Sequence, residues 1–392
     1  MDTELDDPSL PTVGYTYEIN NETSPKSNIS RTPWKCSSEQ WEPYMKLVLV
    51  PIIAVIGMVG NILSFIVLCS PVFSRKTYSH YLQCLAVFDT LTLLLITLRE
   101  CDEICRTMGH FDTCIYPWLL RNTLSCQLWE LFQHVVYLMS SWLVVCFTID
   151  RCAAVCLPLV HRNLTESRSK FIILGLIILA TLTQLFRLWF VEHVENRHQP
   201  CHVPLEIISN INGSYVTEES KKRRLTYMMV DTFAFDFGLR FLLPCLIIAF
   251  CNGYIIFHIM RVRHALPARE RRKSRYTNMA ITTLFCVCIF FVLCLLPNAL
   301  FSIIMHIYYT ILKKALYQEL FCILLSMDGV FKLIRMLNYA LNFMLYGLTG
   351  KQFRREFFRI LRGKNRLRFN GTLLFRFTGS TCTSGIAETD MS

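Results

Sequence analysis

Seven long apolar segments alternate with polar stretches along this chain, at about 45–70, 79–103, 122–155, 168–191, 228–262, 275–306 and 320–348. Each reaches or exceeds the roughly 20 residues a helix needs to cross about 30 Å of hydrocarbon. Lipid offers no partner for loose backbone groups, so helices are the expected form. The pattern predicts an all-α membrane protein, a seven-transmembrane helix bundle. Its central element is the run from Cys126 to Cys152, CQLWELFQHVVYLMSSWLVVCFTIDRC, with no acid or base of the Asp, Glu, Lys or Arg type between Glu130 and Asp150. The second and seventh segments are interrupted by Arg99, Glu100, Asp328, Lys332 and Arg335. After Gly350, the residues Phe353, Phe357, Phe358 and Leu361 recur at helical spacing among Lys351, Arg354, Arg355, Arg359 and Arg362. That spacing predicts a short amphipathic membrane-surface helix at 349–362, with membrane lipid as its partner.

Composition agrees: 53% of the 392 residues are hydrophobic and 18% are charged. The net charge of +11 does not point to nucleic acid, because the basic residues sit beside the apolar segments. The 18 cysteines are spread through a long chain and do not form a disulfide scaffold; many act as small apolar residues. No cleavable signal sequence is visible, so the first span serves as the insertion signal. Residues 1–44 are acidic and carry Pro8, Pro11, Pro25 and Pro33, the composition of a disordered tail. Arg261, Arg263, Arg269, Arg271, Arg272, Lys273 and Arg275 crowd one loop, and further bases follow residue 350. The positive-inside rule assigns these to the cytoplasm, and seven spans then put the N-terminus outside, at the plasma membrane. The sequons at Asn21, Asn28 and Asn212 fall outside and are expected to be glycosylated; those at Asn163 and Asn370 fall inside and are not. Residues 363–392 read as a mobile cytoplasmic tail with sites for phosphorylation.

The polar residues inside the spans narrow the function. Gly60-Asn61 lies in the first span and Leu85-Ala86-Val87-Phe88-Asp89 in the second. Asp150-Arg151-Cys152 is followed by Ala154, Val155, Pro158 and Leu159. Pro244 interrupts the fifth span. Phe291, Cys294 and Pro297 mark the sixth, and Asn342-Phe343-Met344-Leu345-Tyr346 the seventh. In this order the motifs resemble those of the rhodopsin-like (class A) G-protein-coupled receptors, over roughly 45–361. The chain departs from the family pattern at Cys152 (for Tyr), Leu295 (for Trp) and Phe343 (for Pro).

The resemblance implies a set of roles. A disulfide joins Cys126 to Cys201. The positions matching the family's sodium site are Asp89, Ser140, Asn338 and Asn342, all oxygen-bearing; a proton or water network there is the alternative, and no other cofactor is expected. Asp150, Arg151, Phe291, Pro297, Asn342 and Tyr346 form the activation switch and the coupling face. Arg151 is expected to pair with adjacent Asp150 at rest and to contact a heterotrimeric G protein once released. Arrestin and a receptor kinase are further implied partners. Cys36, Cys101, Cys105 and Cys114 lie near the outer face and allow three pairings.

Ligand class is read from single positions. Gln133 stands where amine receptors of this family carry Asp, and Met336 where opsins carry the Schiff-base Lys, so neither a small amine nor retinal fits. The outer half is rich in charge, and intramembrane charge marks function. Glu100, Glu130, Gln133, Asp236, Arg240, Asn298 and Lys332 are the candidate contacts for an extracellular peptide ligand. Asp236 and Arg240, four apart on one helix face, alternatively neutralise each other. The loop 192–227, with alternating Val and Tyr near its middle, suits a hairpin lid. The run TIDRCAAVCLPLVHRNLTESRSK and the NFxLY ending are similar to invertebrate FMRFamide-type neuropeptide receptors. That similarity implies an amidated peptide whose arginine meets Glu100, Glu130 or Asp236, beside Phe235 or Phe301. Rival readings are a non-signalling receptor-like protein and a transporter, which would show related halves. No catalytic motif is found, so an enzyme is not expected.

Overall fold

A computed structural model describes residues 42–74, 76–107, 115–162, 166–193, 201–204, 207–210, 213–265, 275–311, 318–362, 367–369 and 372–375. Residues 1–41 of the acidic tail, with Cys36 and the sequons at Asn21 and Asn28, lie outside these residues, as do Cys114, the sequon at Asn212 and the centre of the basic loop; residues 42–44 already belong to the first helix. The sequons at Asn163 and Asn370 also lie outside the described residues. By length and composition, six helices among the described residues are able to cross a membrane. They begin at Tyr44, Thr77, Thr123, Ser167, Glu218 and Cys288. The seventh span, Gln318–Ala340 followed by Asn342–Thr349, packs against the first, second and sixth spans and completes the bundle. Asp328, Lys332 and Arg335 interrupt its apolar run.

The third span, Thr123–Cys156, is the axis: 67% of its most apolar window is buried, against 22% for the fourth span. It starts in a capping box. The Ser125 amide donates to Asn122 Oδ1 at 2.8 Å, and the Asn122 amide to Ser125 Oγ at 3.3 Å. Leu138, Met139, Leu143 and Val145 from this helix meet Leu85, Ile255, Phe291 and Tyr346 in the main core. A second cluster, Leu93, Tyr137, Met336 and Tyr339, closes the outer half against the first span.

The first span reaches the seventh through Gly57. A Cβ there would sit 2.5 Å from Leu93 Cδ1 and 2.7 Å from Ala340 Cβ, so only hydrogen lets the backbones approach. The seventh span breaks at Leu341, where the family pattern places its proline two residues later and this chain has Phe343. The Tyr339 carbonyl is taken instead by Asn61 Nδ2, which donates to it at 3.0 Å. A side chain from the first span therefore satisfies the backbone acceptor at the break.

The fifth span differs from expectation in two ways. It begins at Glu218, ten residues before 228, with Thr217 accepting the Ser220 amide as its N-cap. It also passes through a π-helical stretch, Val230–Leu242, before Leu243–Ala265. The Leu243 amide donates to the Gly238 carbonyl, five residues back. Widening the turn just ahead of Pro244 shifts the hydrogen-bond register where proline supplies no donor. The outer loop contains the hairpin expected of it: Ile207–Asn210 pairs antiparallel with Gly213–Val216. A shorter pair, Glu192–His193 with Cys201–His202, lies against the third span.

Lys351–Leu361 is helical, as its spacing predicts. Phe353 is buried, with its ring 5.9 Å from Tyr346 and 5.8 Å from Phe343, while Phe358 and Leu361 face outward. The region beyond is not wholly irregular, because Leu367–Phe369 pairs with Thr372–Phe375.

Candidate functional site

The outer half is built on a buried cation. Arg187, 0% exposed, ends the fourth span. Its Nε donates to Gln184 Oε1 at 3.0 Å, its Nη1 to Tyr227 Oη at 2.7 Å, and its Nη2 binds the Asp231 carboxylate. Phe186 and Phe235 stack beside it at 4.5 Å, nearly parallel. This ties the fourth span to the fifth. The Cys126–Cys201 disulfide binds the outer loop to the third span, and Gln127, which donates to Leu188 O at 2.8 Å and Val191 O at 3.1 Å, binds the end of the fourth span to it. Cys101 and Cys105 are not bonded to each other, and the other two cysteines of that set, Cys36 and Cys114, lie outside the described residues.

A narrow cleft opens between the fifth, sixth and seventh spans. Its polar lining is Thr232, Asp236, Arg240, Asn298, Ser302 and Arg335; Phe237, Phe241 and Leu295 are among its apolar walls. Arg240 Nη1 donates to Asp236 Oδ1 at 3.1 Å and Nη2 to Tyr339 Oη at 3.1 Å, and the guanidinium lies 4.9 Å from the Tyr137 ring centroid. Arg335 is 8% exposed, and its Nε has no hydrogen-bond partner.

Three of the seven residues expected at a ligand site, Asp236, Arg240 and Asn298, thus line one cleft. The other four lie elsewhere. Glu100 is held by Lys46 at 3.4 Å and Arg99 at 3.2 Å. His134 Nε2 lies 3.2 Å from Glu130 Oε2. Gln133 is buried with its Oε1 unpartnered, and Lys332 donates to Asp328 at 2.7 Å. Each carboxylate nominated for a peptide's arginine already meets a basic side chain of the receptor. Phe235 stacks on Phe186. Phe301 meets Phe331 across 5.3 Å. Thr232 and Ser302 were not singled out by the sequence, and Arg335 was named only as a charge interrupting the seventh segment, not as a ligand contact. For Arg335 the available signal was a base inside a span with no acid three or four residues away, unlike Lys332.

At the opposite end, Asp150 and Arg151 do not pair. Asp150 Oδ1 accepts from Thr77 Oγ1 at 2.8 Å, and His161 Nε2 lies 3.3 Å from it. The Arg151 guanidinium lies over Tyr78 instead, 3.3 Å from the ring centroid, with Phe147 at 5.5 Å. Successive helix residues point about 100° apart, so adjacent charges face different neighbours.

Between the two ends sits Asp89, fully buried. Its two carboxylate oxygens accept from Ser140 Oγ and from Asn342 Nδ2. The carboxylate and the Ser140 hydroxyl are hard oxygen ligands suited to sodium. Asn342 presents its amide nitrogen, and only a turn of the amide would offer oxygen. Asn338 is buried nearby in sequence, with no contact to Asp89 among its described hydrogen bonds. Phe291 is 1% exposed below the cleft, Pro297 lies within a continuous sixth helix, and Tyr346 is buried with its hydroxyl unpartnered. Among the described residues, no cluster of three or more His, Cys, Asp or Glu forms a metal site.

Comparison with known proteins places these features. The family model "7 transmembrane receptor (rhodopsin family)" matches residues 60–346. Neuropeptide receptor 18 of Caenorhabditis elegans is 26% identical over 293 residues, covering 71% of this chain and 58% of that protein. The FMRFamide receptor of Drosophila melanogaster is 25% identical over 343 residues, covering 86% of this chain and 57% of that protein. C-X-C chemokine receptor type 1 of Macaca mulatta is 24% identical over 353 residues, covering 88% of each chain. The matched region therefore spans a little over half the length of the first two relatives.

Proposed function

The chain belongs to the rhodopsin family of seven-transmembrane receptors, and from that premise we propose that it binds an extracellular peptide and activates a heterotrimeric G protein. The observation that carries the peptide reading is the cleft holding Asp236, Arg240 and Arg335 among amide, hydroxyl and aromatic groups. Charges of both signs beside apolar walls suit a peptide better than a small amine or an apolar ligand. Two relatives with peptide names, the neuropeptide receptor and the FMRFamide receptor, support the same class.

In this reading the N-terminus is outside, the C-terminus is cytoplasmic, and the receptor acts at the plasma membrane. The guanidinium of Arg151 leaves the Tyr78 ring on activation and meets the G protein. Arrestin and a receptor kinase act on the cytoplasmic tail, and the basic helix Lys351–Leu361 lies against inner-leaflet lipid through Phe358 and Leu361. Sodium, when bound, is held by Asp89 and Ser140 and favours the resting arrangement.

The test is nucleotide exchange on a purified heterotrimeric G protein, with the purified receptor and a panel of peptides in amidated and free-acid forms. Stimulation by a peptide that is lost in Arg151→Ala supports the reading. If no peptide stimulates while the receptor is folded by its melting curve, the non-signalling alternative replaces it. The FMRFamide relative favours a second, narrower reading, an amidated peptide with a cationic arginine. Charge reversal at Glu100, Glu130 or Asp236 then lowers peptide potency more than surface level; unchanged potency at all three removes it.

A further inference from the structure

The charges around the cleft do not balance. Asp236 is its acid, and that carboxylate is engaged by Arg240, which also reaches Tyr339 Oη. Arg335 remains. It is more than nine-tenths buried and lines the cleft with its Nε unpartnered. Among the described residues no carboxylate comes within 4.0 Å of it. A buried, unpaired guanidinium is costly, and its cost is relieved by an anion that accepts from its planar fork. Asn298 and Ser302 stand on the sixth span at the same cleft, with Ser302 Oγ donating to Asn298 O at 3.0 Å. Their polar atoms suit a group that carries carboxylate oxygen beside an amide.

We propose that the cleft beside Arg335 binds a carboxylate of the ligand. The guanidinium of Arg335 takes the anion, and Arg240, held in place by Asp236 and Tyr339, adds a second positive edge. This deepens the peptide-receptor reading and rests on it for the ligand's nature, though not for the anion site itself. The carboxylate comes either from a free C-terminus or from an Asp or Glu side chain of the peptide. It also assigns the receptor's three partnered acids, Glu100, Glu130 and Asp236, to internal pairing.

The probes are small and independent of signalling: N-acetyl-phenylalanine and its carboxamide, with N-acetyl-glutamic acid α-amide as the side-chain form. Each is titrated against the purified full-length receptor while its melting temperature is followed. Selective binding to the folded state raises that temperature in a concentration-dependent way, here by about 2–4 °C at saturation. The expected result is a rise with one or both carboxylates, none with the carboxamide, and loss of the rise in Arg335→Gln. The stronger of the two carboxylates distinguishes the C-terminus from a side chain. Arg335→Lys keeps the charge without the fork and retains a smaller rise, which separates anion binding from misfolding of the Gln variant. Equal rises with carboxylate and carboxamide, no rise with either carboxylate, or an equal rise with sodium chloride alone would overturn the carboxylate site. G-protein stimulation by a neutral or cationic amidated peptide, without these carboxylate effects, would leave the peptide-receptor reading intact and remove this one.

Discussion

The Arg151 guanidinium carbon lies 3.3 Å from the centroid of the Tyr78 ring. The contact joins the inner end of the third span to the start of the second. Adjacent Asp150 is meanwhile occupied by Thr77 and His161. A cation held on an aromatic face is worth roughly 0.5–2 kcal/mol, more when desolvated. Removing the ring while keeping bulk, as in Tyr78→Leu, should free Arg151 and raise ligand-independent nucleotide exchange by about two- to thirtyfold. Tyr78→Phe keeps the ring face and should stay near the starting level. If Tyr78→Leu leaves basal exchange unchanged at equal receptor amount, the ring does not restrain the switch.

The close approach of the first and seventh spans at Gly57 gives a second prediction. An added methyl would meet Leu93 Cδ1 at 2.5 Å and Ala340 Cβ at 2.7 Å, with the Ala340 backbone at 2.8 Å. Overpacking of this kind costs about 1–3 kcal/mol. Gly57→Ala should therefore lower the melting temperature and the surface level, whereas Gly175→Ala should not, since nothing lies within 4 Å of its Cβ position. Equal melting curves for the two variants would show that the seventh span yields easily.

These contacts mark where the sequence could and could not be read. Membrane-spanning length and the alternation of apolar and charged blocks gave the bundle, because the bilayer imposes both. The amphipathic spacing of Phe353, Phe357 and Leu361 gave the helix after the seventh span. The first ten residues of the fifth helix were missed because Glu218–Arg224 are all polar and carry no apolar period; an N-cap at Thr217 was the readable sign. At the site, residue types were legible and partners were not. Asp150 and Arg151 are neighbours in the chain and not in space. Lys332 has Asp328 one turn back on its own helix, and Arg335 has no such acid.

The Asp89 cage yields a prediction that separates the proposed sodium from a hydrogen-bond network alone. Ser140 and Asn342 both donate to the carboxylate. Asp89→Asn removes the negative charge while keeping an oxygen. With sodium bound at this point, raising sodium at constant ionic strength should lower basal nucleotide exchange in the unaltered receptor and have no effect in Asp89→Asn. Replacing sodium by the larger N-methylglucamine cation controls for salt. An identical response of both receptors to the two cations would assign Asp89 to the network without the ion.

Arg187 supplies the last and largest expected effect on stability. Among the described residues it is one of the largest fully buried side chains, and its guanidinium is shared among Gln184, Tyr227 and Asp231. Deleting one partner of a buried pair costs about 3–5 kcal/mol, because the remaining charge is left without compensation. Arg187→Met should therefore abolish most surface receptor. Asp231 keeps 21% of its side chain exposed, so water can solvate part of the carboxylate that Arg187→Met leaves behind, whereas the guanidinium that removal of the acid leaves behind has no access to water. Asp231→Asn should accordingly cost at least as much as Arg187→Met, although the bonds to Gln184 and Tyr227 remain. Combining Arg187→Met with Asp231→Leu removes both charges and should recover part of the surface level lost in the single Met variant. A double variant no better than Arg187→Met would mean that the bonds to Gln184 and Tyr227, rather than the charge pair, hold the fourth span to the fifth.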